Sequence, residues 1–318
     1  MTEIEIKFQI PAHQHPALQH FLAQFELNSL PLHAKYYETP NHDLARHHAA
    51  IRVRREGNQW IQMLKAKGES DLHRLEYEIP LGKHENANLE LHLFRNIPVA
   101  QQFLERVLGD ASDQLSLQFE TDVIRTQALI QQQTSQIELS LDKGEIRSQR
   151  QSTPLYEIEF ELKQGQVFDL IELCKRWTSQ FELWIDVRSK AERGHLLAEG
   201  KAVSSAKHYR APQQQSLHTA LTAFQQCFLS NMAAVIAGVA ESAHIQALQE
   251  SVQQLCSQLT QMSTDRTEMT VQMNAWQALL EHITHTEPSA LPQVLASKNI
   301  QLMLLEQMQV LYQTQSSD

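Results

Sequence analysis

Five stretches of the sequence alternate charged and apolar residues so regularly that a β-strand formed by any of them would have one wholly charged face. The first, residues 3–7, reads EIEIK, and the last, residues 157–163, reads EIEFELK. Between them lie residues 51–54 (IRVR), 65–67 (KAK) and 74–79 (RLEYEI). Like charges on one strand face repel one another, so each cluster needs strong counter-charges close by. The pattern therefore constrains how these strands can be arranged.

Two arrangements accommodate such faces. An antiparallel sheet can turn its apolar face to the core and its charged face to water. A barrel can instead enclose the charged faces, with carboxylates on some strands opposite cations on others. Carboxylates suit hard divalent metal ions, whereas Arg and Lys suit phosphate oxygens. We favour the barrel because these faces stack like charges instead of mixing charges with Thr, Ser and Gln.

The apolar pattern changes its period once along the chain. Period-two segments predict strands over residues 2–9, 33–38, 49–55, 59–66, 72–81, 115–127, 136–142, 145–149 and 154–163. After the polar tract 201–215, apolar residues recur at helical spacing in residues 217–228 and 248–259. We therefore predict an α+β fold, with a strand-rich domain and flanking helices over residues 1–204 and an all-α helical bundle over residues 216–318.

The charge balance limits the partners of the protein. Its formal net charge is −10, so it has no uniform basic field for binding nucleic acid or an anionic membrane. The sequence shows no signal-peptide core and no apolar run long enough to span a bilayer, so we expect a cytoplasmic protein. Its three cysteines are widely spaced, which argues against a disulfide framework or a thiolate metal site.

The charged strand faces suit a polyanion that is bound together with metal ions. A triphosphate carries about four or five negative charges near neutral pH, because its terminal phosphate has a second pKa of about 6. One ion pair at about 4 Å contributes roughly 4 kcal/mol before desolvation, so several cations are needed to hold such a ligand. The predicted strands supply both cations and carboxylates.

The order of the charged segments is similar to that of a known family. Residues 3–7 resemble the ExExK signature of the CYTH superfamily, the triphosphate tunnel metalloenzymes. The resemblance covers about residues 1–200 and continues through a series of short segments: 36–41 (YYETPN), 52–54 (RVR), 65–67 (KAK), 74–78 (RLEYE), 119–125 (FETDVIR), 140–144 (SLDKG), 157–163 (EIEFELK) and 189–194 (SKAERG).

This resemblance implies an eight-stranded antiparallel β-barrel tunnel that binds a triphosphate with Mg²⁺ or Mn²⁺, as two ions, and cleaves a phosphoanhydride bond. The implied metal ligands are Glu3, Glu5, Asp142, Glu157, Glu159 and Glu161. The implied phosphate-binding cations are Lys7, Arg52, Arg54, Lys65, Lys67, Arg125, Lys190 and Arg193. For catalysis, the resemblance implicates Lys7, Glu5 and Glu159, with attack by a metal-activated water.

The C-terminal part occupies the place where some bacterial inorganic triphosphatases carry a CHAD domain. Residues 243–248 (AHIQAL) resemble one helix of that domain, but glutamines stand where its arginines would follow. We therefore interpret this part as a degenerate CHAD-like bundle that packs on the barrel or pairs two chains into a homodimer. Because every charged segment that matches the tunnel pattern ends by Gly194, we expect a fragment ending near Ser204 to retain catalysis.

Three functions fit these observations. The leading hypothesis is an inorganic triphosphatase that converts tripolyphosphate to pyrophosphate and phosphate. A class IV-type adenylate cyclase, or a nucleoside or thiamine triphosphatase, would use the same tunnel. A non-enzymatic polyphosphate or nucleotide binder would be favoured only if a metal-ligand carboxylate were missing, and the predicted set is complete.

Overall fold

The computed structural model of the chain describes residues 2–67, 73–149, 151–210, 212, 216–262 and 267–315. Its strands are β1 (Thr2–Gln9), β2 (Asn28–Glu38), β3 (Ala49–Glu56), β4 (Gln59–Lys67), β5 (His73–Gly82), β6 (Ser116–Gln132), β7 (Ser135–Ser148), β8 (Ser152–Gln164) and β9 (Trp184–Ile185). Its helices are α1 (His15–Leu22), α2 (Asp43–Arg46), α3 (Pro98–Leu108), α4 (Val167–Phe181), α5 (Lys190–Glu199), α6 (Leu217–Ile236), α7 (Ser242–Met262), α8 (Thr267–His285), α9 (Leu291–Leu295) and α10 (Lys298–Gln315).

The strands form one antiparallel sheet in the order β5-β4-β3-β2-β6-β7-β8-β1-β9. Strand β1 also pairs with β5, through Thr2–Ile4 and His73–Leu75. The α+β class with an antiparallel sheet is therefore confirmed. The described residues form nine strands where the family resemblance implied eight, because the short β9 adds to the edge of β1.

One predicted strand break is wrong. Segments 136–142 and 145–149 belong to a single strand, β7, which runs through Gly144. At this glycine the backbone of β6 approaches so closely that a Cβ atom would overlap the carbonyl oxygen of Asp122. The glycine therefore permits a close strand approach and does not mark a turn.

The strand register sets opposite charges beside one another on the charged face. Lys65 lies opposite Glu76, Lys7 opposite Glu159, and Arg125 opposite Asp142. Such cross-strand pairs stabilise a sheet, whereas like charges in the same positions would destabilise it. The register thus supplies the counter-charges that the alternating sequence requires.

The other face of β1, β7 and β8 carries the main hydrophobic core. Phe8 and Phe160 meet edge to face there, and Trp177 of α4 packs on Phe160. The same continuous cluster includes Phe228 of α6 and Leu305 of α10. The sheet and the C-terminal helices therefore share one core. None of the described helices is both long enough and apolar enough to cross a membrane.

Helix α5 covers an apolar cluster at one end of the charged face. Ser189 caps the helix by accepting a hydrogen bond from the backbone N–H of Glu192 at 3.0 Å. Ala191 and Leu197 pack against a cluster that includes Phe119. Gly194 lies against the Phe119 ring, which leaves no room for a larger side chain. This packing holds α5 beside the charged strands.

We expect Gly194→Ala to lower the free energy of unfolding by roughly 1–3 kcal/mol, because the added methyl group would overlap the Phe119 ring. Urea denaturation of the wild type and the variant measures this change. In a Phe119→Ala background, which removes the ring, the same substitution should cost much less. An equal cost in both backgrounds would contradict the proposed packing.

Candidate active site

Three carboxylates meet on the charged face of neighbouring strands. Asp142 of β7 lies opposite Glu157 of β8, and Glu159 follows two residues further along β8 on the same face. One oxygen from each lies within 4.8 Å of the others. Asp142 and Glu157 are fully buried, whereas the side chain of Glu159 is 17% exposed. We call these three residues the acidic triad.

Two cations each contact more than one carboxylate of the acidic triad. Arg125 of β6 donates from Nε and Nη2 to the two oxygens of Asp142 at 2.7 and 2.6 Å, and from Nη2 to Glu159 at 2.9 Å. Lys190, the first residue of α5, has its ammonium 2.8 Å from Asp142 and 2.9 Å from Glu159, and it also donates to Glu157. The triad is therefore neutralised by side chains from β6 and α5.

Two further cations approach Glu157. The Arg193 guanidinium donates to this carboxylate. The Lys7 ammonium lies 3.9 Å from it and donates to the backbone carbonyl of Arg188. Burial lowers the pKa of Lys7, and the neighbouring cations Arg193 and Lys190 add to that effect, against the attraction of Glu157 and Asp186. Lys7 is thus the lysine of this group whose ammonium loses its proton most easily.

Burial and charge act in opposite directions on the pKa values of the acidic triad. Burial raises the pKa of each carboxyl, but the cations outweigh it, with Lys190 the strongest of them. The pKa values of Asp142 and Glu157 are lowered, and that of Glu159 lies well below its ordinary value. For Lys190, burial lowers the pKa, and the three carboxylates raise it beyond its ordinary range. The triad is therefore ionised at neutral pH.

A second group of charged side chains comes from β3, β4 and β5. The Arg52 guanidinium donates to the Tyr36 hydroxyl at 3.2 Å and lies 3.7 Å from Glu76. Lys65 pairs with Glu76 at 2.8 Å. Arg54 pairs with Glu56. Glu76 thus holds two of the predicted phosphate-binding cations in place.

Both groups face one cavity of about 1390 Å³. The predicted site residues that line it are Glu5, Lys7, Arg52, Arg54, Lys65, Lys67, Arg125, Glu159, Glu161 and Lys190. Asp142, Glu157 and Arg193 do not line the cavity, but each contacts Lys190 or the acidic triad directly. Glu3 lies in β1, and its side chain is outside the described residues.

A second acidic group follows the triad along the same strands. Glu161 of β8 lies opposite both Glu5 of β1 and Glu138 of β7. Burial raises the pKa of Glu161, and Glu138 and Glu5 raise it further, while a contact with Lys163 at 2.7 Å lowers it. Two of the predicted metal ligands, Glu5 and Glu161, therefore belong to this group and not to the triad.

Sequence reasoning missed several charged residues of the site. Glu138 lies four residues before Asp142 in β7 and therefore on the same strand face. The alternation of polar and apolar residues in this strand could have identified it. Asp186 is fully buried in the loop between β9 and α5 and binds Arg188 at 2.8 and 2.9 Å. No periodic pattern marks this loop, so only the folded chain reveals the pair.

Comparison with known proteins agrees with this geometry. The CYTH domain description matches residues 1–194. The chain belongs to the CYTH family. An inorganic triphosphatase from Haemophilus influenzae is 35% identical over 207 residues, which cover 62% of this chain and 55% of the relative. The chain thus spans about half the length of this curated relative.

Solved structures show weaker similarity. A protein from Hippeastrum, described as a candidate adenylyl cyclase with a dominant triphosphatase activity, aligns at 20% identity and a TM-score of 0.46 over 63% of this chain and 96% of its own. A protein from Pyrococcus horikoshii aligns at 18% identity and a TM-score of 0.39 over 63% of this chain and 99% of its own. Likeness at this level does not establish a function.

Removing one charge from the acidic triad should destabilise the protein in the absence of metal. Glu157→Gln removes the buried carboxylate that pairs with Arg193 and one of the three carboxylates that contact Lys190, which should cost roughly 3–5 kcal/mol. The matched control is Glu161→Gln on the same strand and face, whose carboxylate pairs with the partly exposed Lys163 and should cost less than about 1 kcal/mol. Urea denaturation at pH 7 compares the two, and equal costs would contradict the assigned role of Glu157.

Proposed function

We propose that this protein is a metal-dependent triphosphatase that hydrolyses inorganic triphosphate to pyrophosphate and phosphate. One observation carries the proposal: a single cavity is lined by part of an acidic triad and, on other strands, by Arg52, Arg54, Lys65 and Lys67. The cations match phosphate oxygens and the carboxylates match hard metal ions. The similarity to an inorganic triphosphatase supports the same activity.

We propose further that β1–β8 enclose this cavity as a tunnel. The pairing of β1 with β5 supports this arrangement, since β5 is the first strand in the sheet order and β1 the last before β9. A sheet whose outermost strands pair can close on itself. The charged face would then line the interior, where water is restricted and electrostatic attraction to a polyanion is stronger than in bulk solvent.

The acidic triad has the right chemistry for Mg²⁺ or Mn²⁺, because three carboxylate oxygens lie within 4.8 Å of one another. Asp142, Glu157 and Glu159 would hold one ion. Glu5 and Glu161, which lie opposite one another, would hold a second. Bound metal would polarise a phosphoryl oxygen and make a water molecule more acidic.

The remaining residues would act on the substrate. Arg52, Arg54, Lys65 and Lys67 would bind and orient the phosphate chain, which is the main requirement of phosphoryl transfer. With a metal ion on the triad, Arg125 and Lys190 would be released to neutralise substrate charge. Lys7, which lines the cavity and lies 3.9 Å from Glu157, or a carboxylate would orient the attacking water.

One aromatic side chain of the cavity lining is already stacked on a neighbouring ring. The ring of Tyr36 is stacked on Phe119 with centroids 4.4 Å apart, so one of its faces is not available to a nucleobase. Tyr77 lines the same cavity. Nucleoside or thiamine triphosphate hydrolysis and cyclic AMP formation are therefore the alternatives that an assay should separate.

Activity should depend on a divalent metal ion. Phosphate release from tripolyphosphate should require Mg²⁺ or Mn²⁺, stop with excess EDTA, and exceed release from ATP, thiamine triphosphate and pyrophosphate. Glu159→Gln should lower turnover by at least about a hundredfold, since metal and electrostatic contributions supply several kcal/mol. Glu120→Gln is the control, because Glu120 is on β6 outside the cavity lining and contacts His33.

Other outcomes of this assay are equally clear. Full activity in EDTA would refute the metal dependence. Cyclic AMP formation from ATP would identify a cyclase, and binding of tripolyphosphate without turnover by any metal would identify a non-enzymatic binder.

Substitution of two adjacent arginines tests whether the cations that line the cavity bind the phosphate chain. Arg54 lines the cavity, whereas Arg55 is exposed and donates to the carbonyl of Gly57. Arg54→Ala should raise KM for tripolyphosphate about tenfold or more, as expected for the loss of a charged hydrogen bond. Arg55→Ala should leave KM unchanged at moderate ionic strength. If both substitutions raise KM equally, general electrostatic attraction and not a specific contact is responsible.

The C-terminal helices are proposed to support the tunnel and not to bind substrate. After Arg210 the sequence has only two basic residues, Arg266 and Lys298. The charged strands lie before this point, whereas the later residues carry few cations. For this reason we propose a domain division at residues 1–204 and 216–318. A CHAD-like origin of the helices and a homodimer formed through them stay predictions.

A further inference from the structure

The two-residue strand β9 has a backbone N–H that the sheet cannot satisfy. Strand β9 pairs with β1 through Ile185 and Phe8, and the N–H of Asp186 donates to the carbonyl of Lys7 at 3.1 Å. Because alternate N–H groups of a strand point to opposite sides, the N–H of Ile185 points away from β1. Ile185 is only 2% exposed, so this N–H needs an acceptor within the protein.

Gln301 of α10 supplies that acceptor. Its side-chain Oε1 lies 2.8 Å from the N–H of Ile185, and its Nε2 donates to the carbonyl of Leu295, at the end of α9, at 2.7 Å. The side chain of Gln301 is fully buried. A residue 116 positions further along the chain therefore completes the hydrogen bonding of the edge strand.

The segment after β9 holds Lys7 by its backbone and by its side chain. The N–H of Asp186 binds the Lys7 carbonyl, and the Asp186 carboxylate binds the Arg188 guanidinium at 2.8 and 2.9 Å. The carbonyl of Arg188 in turn accepts from the Lys7 ammonium. Two residues later, Lys190 begins α5 and contacts the acidic triad. Residues 184–190 thus connect β9 to two cations of the active site.

We infer that Gln301 is a positioning residue of the active site. By fixing Ile185, it holds residues 184–190 and thereby sets the positions of Lys7 and Lys190 relative to the acidic triad. The inference rests on the proposed triphosphatase function, and it assigns the C-terminal helices a part in catalysis. A fragment ending near Ser204, for which we predict catalysis, lacks Gln301 and under this inference should turn over more slowly than the full chain.

Another glutamine of the same helix provides a matched control. Gln307 is also buried, at 2% exposure, and its amide has no hydrogen-bond partner among the described residues. Replacing an unpaired buried amide by an apolar group of similar size removes no hydrogen bond. Gln307→Leu therefore makes the same chemical change as Gln301→Leu without removing a hydrogen bond to β9.

The test compares full-length wild type, Gln301→Leu and Gln307→Leu at a temperature where circular dichroism shows each to be fully folded. We expect Gln301→Leu to lower kcat for tripolyphosphate with Mg²⁺ about tenfold to a hundredfold, as small displacements of reacting groups do, while Gln307→Leu stays within about twofold of wild type. Hydrogen exchange of peptides that cover residues 184–190 should become faster in Gln301→Leu alone. If Gln301→Leu does not fold, Gln301→Asn, which is one methylene shorter, takes its place.

The outcomes separate this inference from the proposed function. A folded Gln301 variant with wild-type kcat would overturn the inference, and so would an equal loss of kcat in both variants, because that would indicate a general packing defect. A wild type that does not hydrolyse tripolyphosphate would refute the proposed function. In that case kcat cannot be compared, and hydrogen exchange is the remaining test of the inference. Unchanged protection of residues 184–190 in the Gln301 variant would overturn it.

Discussion

Compensation of the acidic triad by its surrounding cations is the interaction on which the rest of the structure depends. Asp142 and Glu157 are fully buried, and buried carboxylates without counter-charges would be strongly destabilising. Arg125 must therefore lie beside Asp142, which fixes the register of β6 on β7. Lys190 must reach the same carboxylates, which fixes the start of α5. One electrostatic requirement thus sets both a strand register and a helix position.

The same compensation suits the proposed chemistry. Without metal or substrate, the carboxylates and cations around the cavity neutralise one another, so the protein can hold them close together. A metal ion and a triphosphate carry opposite charges, so together they can replace these internal pairs without leaving either set unpaired. The site is in this sense complementary to two ligands at once, and we expect each of them to strengthen the binding of the other.

The positions of the cations depend on the whole chain. Lys190 and Lys7 are held by residues 184–190, which follow a strand of only two residues. A strand of two residues is not stable alone. Gln301 and the core shared with α6 and α10 stabilise the side of β9 that faces away from β1. The C-terminal helices carry few charges, yet they contribute to the geometry of a highly charged site.

The sequence by itself determined which side chains share a face. Successive residues of a strand point to opposite sides, so the alternation in residues 3–7 and 157–163 already separated the charged residues of the site from the core. The change from strand to helical spacing after residue 201 predicted the α+β class, and the order of the charged segments resembled the CYTH family. The tertiary structure decided which carboxylates meet. The register places Glu5 opposite Glu161 and Lys7 opposite Glu159, so the triad contains Asp142 and not Glu5. Strand β9 and its contact with Gln301 were equally invisible in the sequence, because register and edge contacts depend on residues far apart in the chain, whereas alternation is a local property.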